Sequence, residues 1–298
     1  MTRTRPSRSG ARDHDNPTRP AVSDTAFVTA GMRARETRRP TPLFRDPLAT
    51  VLAGEHGRDL ADKLHSRLFF HGVIARTAVL DELIEHIVNV EGARCVVNLG
   101  AGLDTRPYRL DLPADLRWVE VDLPEVVDYK AKLLDGQQPR CELDRITVDV
   151  TDAPALRVFL ERLDVLLPTL VVSEGLVTYL NEDEVAVLAV DLARPTSVKW
   201  WALDFVASSG LLRWANRFPR HRHSKTAAEL RFASRNGADF FRPSGWEPVE
   251  VRFSWLEQRR LGCEPWAMRT VWAASPERLR RRLASTTVFV VLKRPEPG

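Results

Sequence analysis

The stretch Arg94-Cys-Val-Val-Asn-Leu-Gly-Ala-Gly-Leu-Asp-Thr105 decides the fold. Its first half is a short apolar run ended by glycine, as expected of a strand buried on both faces of a parallel sheet. Its second half puts Gly100, Ala101 and Gly102 directly after that strand, where backbone without a Cβ approaches a ligand closely. Thr105 stands where the third glycine of G-x-G-x-x-G belongs, so the close helix packing needed beside a dinucleotide pyrophosphate is not specified. A nicotinamide dehydrogenase loses ground accordingly.

Working outward, the rhythm repeats. Arg117-Trp-Val-Glu-Val-Asp122, Arg145-Ile-Thr-Val-Asp149, Thr169-Leu-Val-Val-Ser173 and Val198-Lys-Trp-Trp-Ala-Leu-Asp204 alternate with helical or loop segments. That alternation predicts an α/β domain with a mostly parallel sheet. Two late runs, Pro248 to Phe253 and Thr286 to Lys293, suit an edge pair closing a seven-stranded sheet. Upstream, Ser23 to the Arg39-Pro40-Thr41-Pro42 break reads as a helix. Asp46 to Val90 keeps helical spacing through Val79, Leu80, Leu83, Ile84 and Ile87, with Gly92 as its stop. The expected organisation is a tail over residues 1–20, a helical cap over 21–92, and a core over 93–298 with a lid at about 207–245 after the fifth strand.

Composition narrows the class. With 298 residues, 44% hydrophobic and 28% charged, the chain is ordinary globular protein, which excludes a disordered one. No apolar run approaches the roughly 20 residues a membrane helix needs, and the first twenty residues hold five arginines and no apolar leader, so a cytoplasmic protein is expected. Cys95, Cys141 and Cys263 lie far apart, without a C-x-x-C or clustered histidines, and indicate neither a disulfide framework nor a metal. The net charge of +4 argues only weakly for anionic partners. Arginine-heavy usage, with six lysines among 44 basic residues, follows as readily from a G+C-rich genome as from guanidinium chemistry.

The acids after the glycine loop sharpen the reading. Glu120 and Asp122 end the second strand, and Asp122 follows Gly102 by twenty residues, the separation of an acid that hydrogen-bonds a ribose diol. The competing role for these acids is to cap the helix starting near Pro124. Asp149, at the end of the third strand, is in position to meet an adenine amino group. Glu174 lies at the carboxyl edge, where such sheets bind ligands, and a carboxylate emerging from a buried strand needs a partner.

Taken together, Asn98-Leu-Gly-Ala-Gly-Leu-Asp-Thr105, Glu120-Val-Asp-Leu-Pro124 and Glu174-Gly-Leu-Val-Thr-Tyr-Leu180 resemble the leucine carboxyl methyltransferase family of S-adenosylmethionine-dependent enzymes. The resemblance extends to Phe44-Arg-Asp-Pro47, Arg76 and Phe240-Phe-Arg-Pro-Ser-Gly-Trp246, over most of residues 23 to 293. It is nearest to the bacterial branch that includes polyketide carboxyl O-methyltransferases. The resemblance implies a class I, Rossmann-like methyltransferase fold with S-adenosyl-L-methionine as cofactor. It implies that Arg45 and Arg76 approach the methionine carboxylate, that Gly100, with Ala101 and Gly102, lines the methionine and ribose, and that Asp122, with Leu123, takes the ribose hydroxyls. Asp149 and Val150 would bracket the adenine, Glu174 would meet the methionine ammonium, and Tyr179 would lie near the reacting methyl or the acceptor. Val150 departs from the family's usual leucine, and Ser173 stands where bacterial relatives often have threonine; neither change removes a charge. Read without the family, Arg76 is a solvated helix arginine and Tyr179 a core aromatic.

The expected chemistry is transfer of the methyl group to the carboxylate of a small, aromatic or polyketide-like acceptor. A carboxylic acid, with a pKa of about 4, is already ionised at pH 7 and needs no base, whereas a phenol with a pKa near 10 does. No histidine stands near a strand end. The segment from Arg213 to Arg235 interleaves seven basic residues with Trp214, Phe218 and Phe232, and reads either as a solvated helix pair or as a lid selecting anionic aromatic acceptors. A phenolic methyltransferase and a non-catalytic cofactor-binding or RNA-associated module are the alternatives, the last expected to bind nucleic acid with steep salt dependence.

Overall fold

The computed structural model describes residues 23–63, 67–163, 166–207, 230–284 and 286–295. Seven strands form one sheet in the order β3-β2-β1-β4-β5-β7-β6. They are β1 (Cys95–Leu99), β2 (Arg117–Asp122), β3 (Glu142–Thr147), β4 (Thr169–Ser173), β5 (Val198–Val206), β6 (Glu247–Phe253) and β7 (Thr287–Lys293). The first five run parallel, and β7 is antiparallel to both β5 and β6. Of the two late strands, β6 forms the edge and β7 lies inside it. β7 is buried from Val288 to Leu292, whereas β6 alternates between covered and exposed residues.

The third strand departs from its expected span. It starts at Glu142 and ends at Thr147, so Asp149 lies two residues beyond it, exposed, with its carboxylate accepting from the Thr151 backbone and hydroxyl at 2.8 and 2.7 Å. This Asx-type turn takes the backbone out of the ladder before Asp149 is reached. The continuous helical spacing expected from Asp46 to Val90 resolves into two helices, α2 (Pro47–Lys63), broken at Gly54, and α3 (Arg67–Asn89). They follow α1 (Asp24–Thr37), which starts at an N-cap serine, Ser23, accepting from the Ala26 amide.

Two apolar layers sandwich the sheet. The apolar stripe of α3, from Val79 through Val88, packs with Val96, Trp118, Leu170, Val172 and Ala202 on one face. The other face, with Val97, Val119, Val171, Trp201 and Leu203, is covered by α6 (Ala153–Leu160) and α7 (Glu182–Leu192). The N-terminal region therefore divides: α3 is a layer of the core, while α1 and α2 pack with α5 (Pro124–Leu133), the helix that follows the short α4 (Arg106–Arg109), around Phe27, Leu52 and Leu103. The expected lid also divides. Residues 208–229 lie outside the described residues, and those from 230 onward return into the core. Phe232 stacks at 5.7 Å from Phe205, a 3-10 turn over Gly237–Ser244 buries Phe241, and Trp246 donates to the Ala189 carbonyl. Phe232 is thus a core residue rather than an acceptor-facing aromatic.

α1 and α2 cross so closely that only glycine fits. A Cβ on Gly31 would stand 2.3 Å from the Gly57 carbonyl oxygen, and one on Gly57 would stand 2.7 Å from that of Phe27. Gly31→Ala is expected to cost about 1–3 kcal/mol through overpacking, read as a lower urea midpoint, whereas Gly72→Ala, where a Cβ meets nothing within 4 Å, is expected to leave the midpoint unchanged or raise it.

Candidate active site at the carboxyl edge of the sheet

The chain leaves β1 through two residues in the left-handed region, Gly100 (φ 64°) and Gly102 (φ 48°), a conformation that glycine adopts without penalty. The loop is tied down on its far side by β2. The Gly100 amide donates to the Val121 carbonyl at 2.8 Å, and the Asp122 carboxylate accepts from the Gly102 and Leu123 amides at 2.6 and 2.8 Å. Asp122 therefore does hold the start of the next element, but through Leu123, and it closes the glycine loop at the same time. Burial raises its pKa, opposed by these two backbone donors. Glu120 is spent elsewhere, bound by Lys130 at 2.7 Å and Arg145 at 2.9 Å in the interior.

Beyond the loop, Asp104 turns back toward α3. It accepts from Asn98 at 2.8 Å and from the amides of Thr105 and Arg106, and it pairs with the Arg106 guanidinium at 3.2 Å. Arg106, fully buried, reaches in two further directions: its Nε meets Asp81 of α3 at 2.7 Å and its Nη1 meets Glu174 at 2.6 Å. Arg109 binds both oxygens of Asp81 at 2.6 and 2.8 Å, the bidentate geometry that suits a guanidinium. Arg33 of α1 donates to the Leu103 carbonyl and pairs with buried Asp46 at 2.9 Å.

Glu174 lies where the sequence places it, just past β4, and is shared between two guanidiniums. Arg76 of α3 meets its Oε1 at 2.9 Å while Arg106 takes Oε2. Burial on its own would raise the Glu174 carboxyl; Arg106 and Arg76 outweigh it and hold the group down at about 2. Arg76 lies against Gly175, whose missing Cβ would be 3.0 Å from Nη1. Its Nη1 also pairs at 3.3 Å with Asp204 of β5, a carboxylate that accepts the Gly175 amide at 2.6 Å. Burial works against the charge of Arg76, but Asp204 and Glu174 raise its pKa further above the usual guanidinium range. Tyr179 belongs to the same group: it sits in the field of Arg76 and Asp204, hydrogen-bonds to Thr25, and is raised by burial, so its phenol stays protonated at neutral pH.

The structure thus gathers Gly100, Ala101, Gly102, Asp122, Arg76, Glu174 and Tyr179 at one edge. Leu123 and Val150 flank it, the former 41% exposed and the latter packed against the core beside exposed Asp149. Arg45 is not in this network. It is exposed, with its guanidinium 3.5 Å from the Thr37 carbonyl, and the neighbour that turns inward is Asp46. The sequence reading did not find Arg33, Asp81, Arg106, Arg109 or Asp204. Asp204 carried a usable signal, since it ends the apolar run from Val198 as Glu174 follows one; an arginine destined for burial carries none.

Arg106 is the cation shared by three carboxylates. Breaking a buried ion pair costs about 3–5 kcal/mol, so Arg106→Met is expected to lower stability by that order in urea unfolding. Because Glu174 is held at about 2, its pairing stabilises fully above the ordinary carboxylate range near 4.5 and is lost as the pH falls toward 2. The gap between wild type and Arg106→Met should therefore narrow below about pH 4.5; a gap that stays constant would show that Glu174 is not stabilised through Arg106.

The profile of the leucine carboxyl methyltransferase family matches residues 26–193. A provisionally named S-adenosyl-L-methionine-dependent methyltransferase of Streptomyces coelicolor is 36% identical over 176 residues, covering 55% of this chain and 62% of that protein. A similarly named protein of Frankia alni is 38% identical over 174 residues, covering 54% and 60%. This chain's match therefore spans about three-fifths of the length of these relatives. Among solved structures, a provisionally assigned methyltransferase from Thermobifida fusca superposes with a TM-score of 0.59 at 18% identity, over 92% of this chain and 96% of that one. A duf574 family protein from Streptomyces avermitilis gives 0.55 at 15%, over 90% and 97%. At such identities the likeness is one of fold, and the fold is that of the class I methyltransferases. The matched region runs from α1 through α7 and contains the glycine loop, Asp122, Arg76, Glu174 and Tyr179. This chain belongs to the leucine carboxyl methyltransferase family of S-adenosyl-L-methionine-dependent enzymes.

Proposed function

We propose that the chain is an S-adenosyl-L-methionine-dependent O-methyltransferase that esterifies the carboxylate of a small, aromatic or polyketide-like acceptor. The observation that carries this reading is the bonded path from the glycine loop through Asp104, Arg106 and Glu174 to Arg76, which unites the loop after β1 with the ends of β4 and β5. The residues suit the cofactor. Gly100 and Gly102 turn the loop through left-handed backbone, Asp122 offers a half-buried carboxylate for a diol, and the Arg76 and Glu174 pair offers both signs of charge for an amino acid moiety. When bound, S-adenosyl-L-methionine supplies an already activated methyl group as a sulfonium.

What remains for the protein is alignment and exclusion of water. Arg76 and Tyr179, fixed by Glu174, Asp204 and Thr25, are the groups that would orient an acceptor. Tyr179 is protonated and Glu174 is held at about 2, so neither is a base matched to a phenol at pH 7. An acceptor that arrives ionised, as a carboxylate does, asks for no base, and this supports the ester-forming reading.

Calorimetric titration tests the cofactor assignment without knowledge of the acceptor. One-to-one binding of S-adenosyl-L-methionine is expected, weakened by roughly 1–3 kcal/mol in Asp122→Ala and in Arg76→Ala as a charged hydrogen bond is lost; unchanged affinity in both variants would overturn the site. Once an acceptor is found, mild alkali separates the products. Release of methanol supports the ester, and a stable methylated product would move the assignment to the phenolic ether.

A further inference from the structure

The cluster around Arg76 holds a carboxylate that the glycine loop and the family motifs leave unexplained. Asp204, 4% exposed, lies two residues before the end of β5. One of its oxygens accepts the Gly175 amide at 2.6 Å and the other pairs with Arg76 at 3.3 Å. The groups that face it are Arg76 from α3 and Glu174, Gly175 and Tyr179 from the segment after β4, while its cross-strand neighbour on β7 is the apolar Phe289.

Charge accounting singles Asp204 out. Within the buried arginine network each other carboxylate can be matched with a guanidinium, Asp46 with Arg33, Asp81 with Arg109, Asp104 with Arg106, and Glu174 with Arg76, while Asp122 of the glycine loop rests on two backbone amides. Asp204 has only a share of Arg76, which Glu174 already holds at shorter range. The nearby Lys130 and Arg145 both serve Glu120, and Lys130 also acts on Asp122, so they leave no cation over for Asp204. A buried negative charge in surplus is costly unless it takes a proton or meets an incoming cation. Burial pushes the Asp204 carboxyl up, in line with the first of these.

We propose that Asp204 is a positioning residue that pins Arg76 against Gly175 and supplies the unmatched negative charge by which the site distinguishes a cationic sulfonium from a neutral thioether. The inference rests on the cofactor reading above. S-adenosyl-L-methionine carries a sulfonium, an ammonium and a carboxylate, a net single positive charge, whereas S-adenosylhomocysteine is a zwitterion with none. Binding of the first completes the charge balance and favours the ionised form of Asp204, any bound proton passing to solvent. The second brings no net charge to meet Asp204, so the spent form of the cofactor is held less tightly and product release is favoured.

The experiment is titration of the full chain with both compounds, wild type against Asp204→Asn and Asp204→Glu, with folding checked by circular dichroism. Asparagine keeps an oxygen for the Gly175 amide and removes the charge. Asp204→Asn is expected to weaken S-adenosyl-L-methionine about tenfold and S-adenosylhomocysteine less than about threefold, and Asp204→Glu to restore part of the difference. At acid pH, wild type should release more protons than Asp204→Asn on binding S-adenosyl-L-methionine, seen by comparing buffers of different ionisation enthalpy. Equal weakening of both compounds with unchanged proton release would reduce Asp204 to a structural prop and overturn the proposal. Should Asp204→Asn fail to fold, the wild-type affinity ratio of the two compounds decides, because it must shrink as acid protonates Asp204; a ratio that stays flat down to the acid limit of the folded protein overturns the proposal. Failure of wild type to bind either compound would overturn the cofactor reading itself, a result unlike either pattern above.

Discussion

Guanidiniums buried under the carboxyl edge of the sheet set the terms for everything around them. A charge out of water is tolerated only when it is paired and its remaining hydrogen-bonding capacity is met. Arg106 alone demands Asp81 from α3, Asp104 from the loop after β1 and Glu174 from the end of β4. Those three elements must therefore meet in one arrangement. Such ion networks add little net stability over an apolar filling, so their effect lies in geometry: a glycine loop, two strand ends and one long helix are held in register.

The same constraint explains the role of the first helix. α1 crosses α2 at glycine contacts that admit no Cβ, and this brings Arg33 onto the Leu103 carbonyl and Thr25 onto the Tyr179 hydroxyl. On the opposite side, the chain returning from beyond β5 lays the amides of Arg231 and Phe232 on the Thr178 carbonyl, one residue from Tyr179. Tyr179 is consequently fixed from both sides by segments distant in sequence, so its surroundings are assembled from both halves of the chain.

How far the sequence foretold this depends on the kind of signal each residue carries. Strands buried on both faces leave apolar runs, and six of the seven spans were legible to within a residue or two; β3 was not, because its alternating, half-exposed residues carry no such run and an Asx turn ends it early. Local motifs gave Gly100, Gly102, Asp122 and Glu174, whose types follow from backbone conformation or position at a strand end. Arg45 and Asp46 show the opposite case. The motif marks the segment, but which of two adjacent charged side chains turns inward is settled by Arg33, from another helix. Buried arginines such as Arg106 are invisible for the same reason, since their partners converge only in three dimensions. The two-way division of residues 21–92 likewise depends on which surface each helix meets.

The position of β7 has a consequence for the order in which the molecule can be made. The last described strand in the sequence is the inner neighbour of β5, pairing from Trp200↔Lys293 to Val206↔Thr287, with Asp204 opposite Phe289. During synthesis β5 remains an open edge until residues nearly ninety positions later leave the ribosome, and pairings of such long range close slowly. A chain cut before Thr287 would retain every residue of the site and still leave the strand that carries Asp204 without its antiparallel partner. Competence at the carboxyl edge thus waits on a strand made long after most of the residues involved.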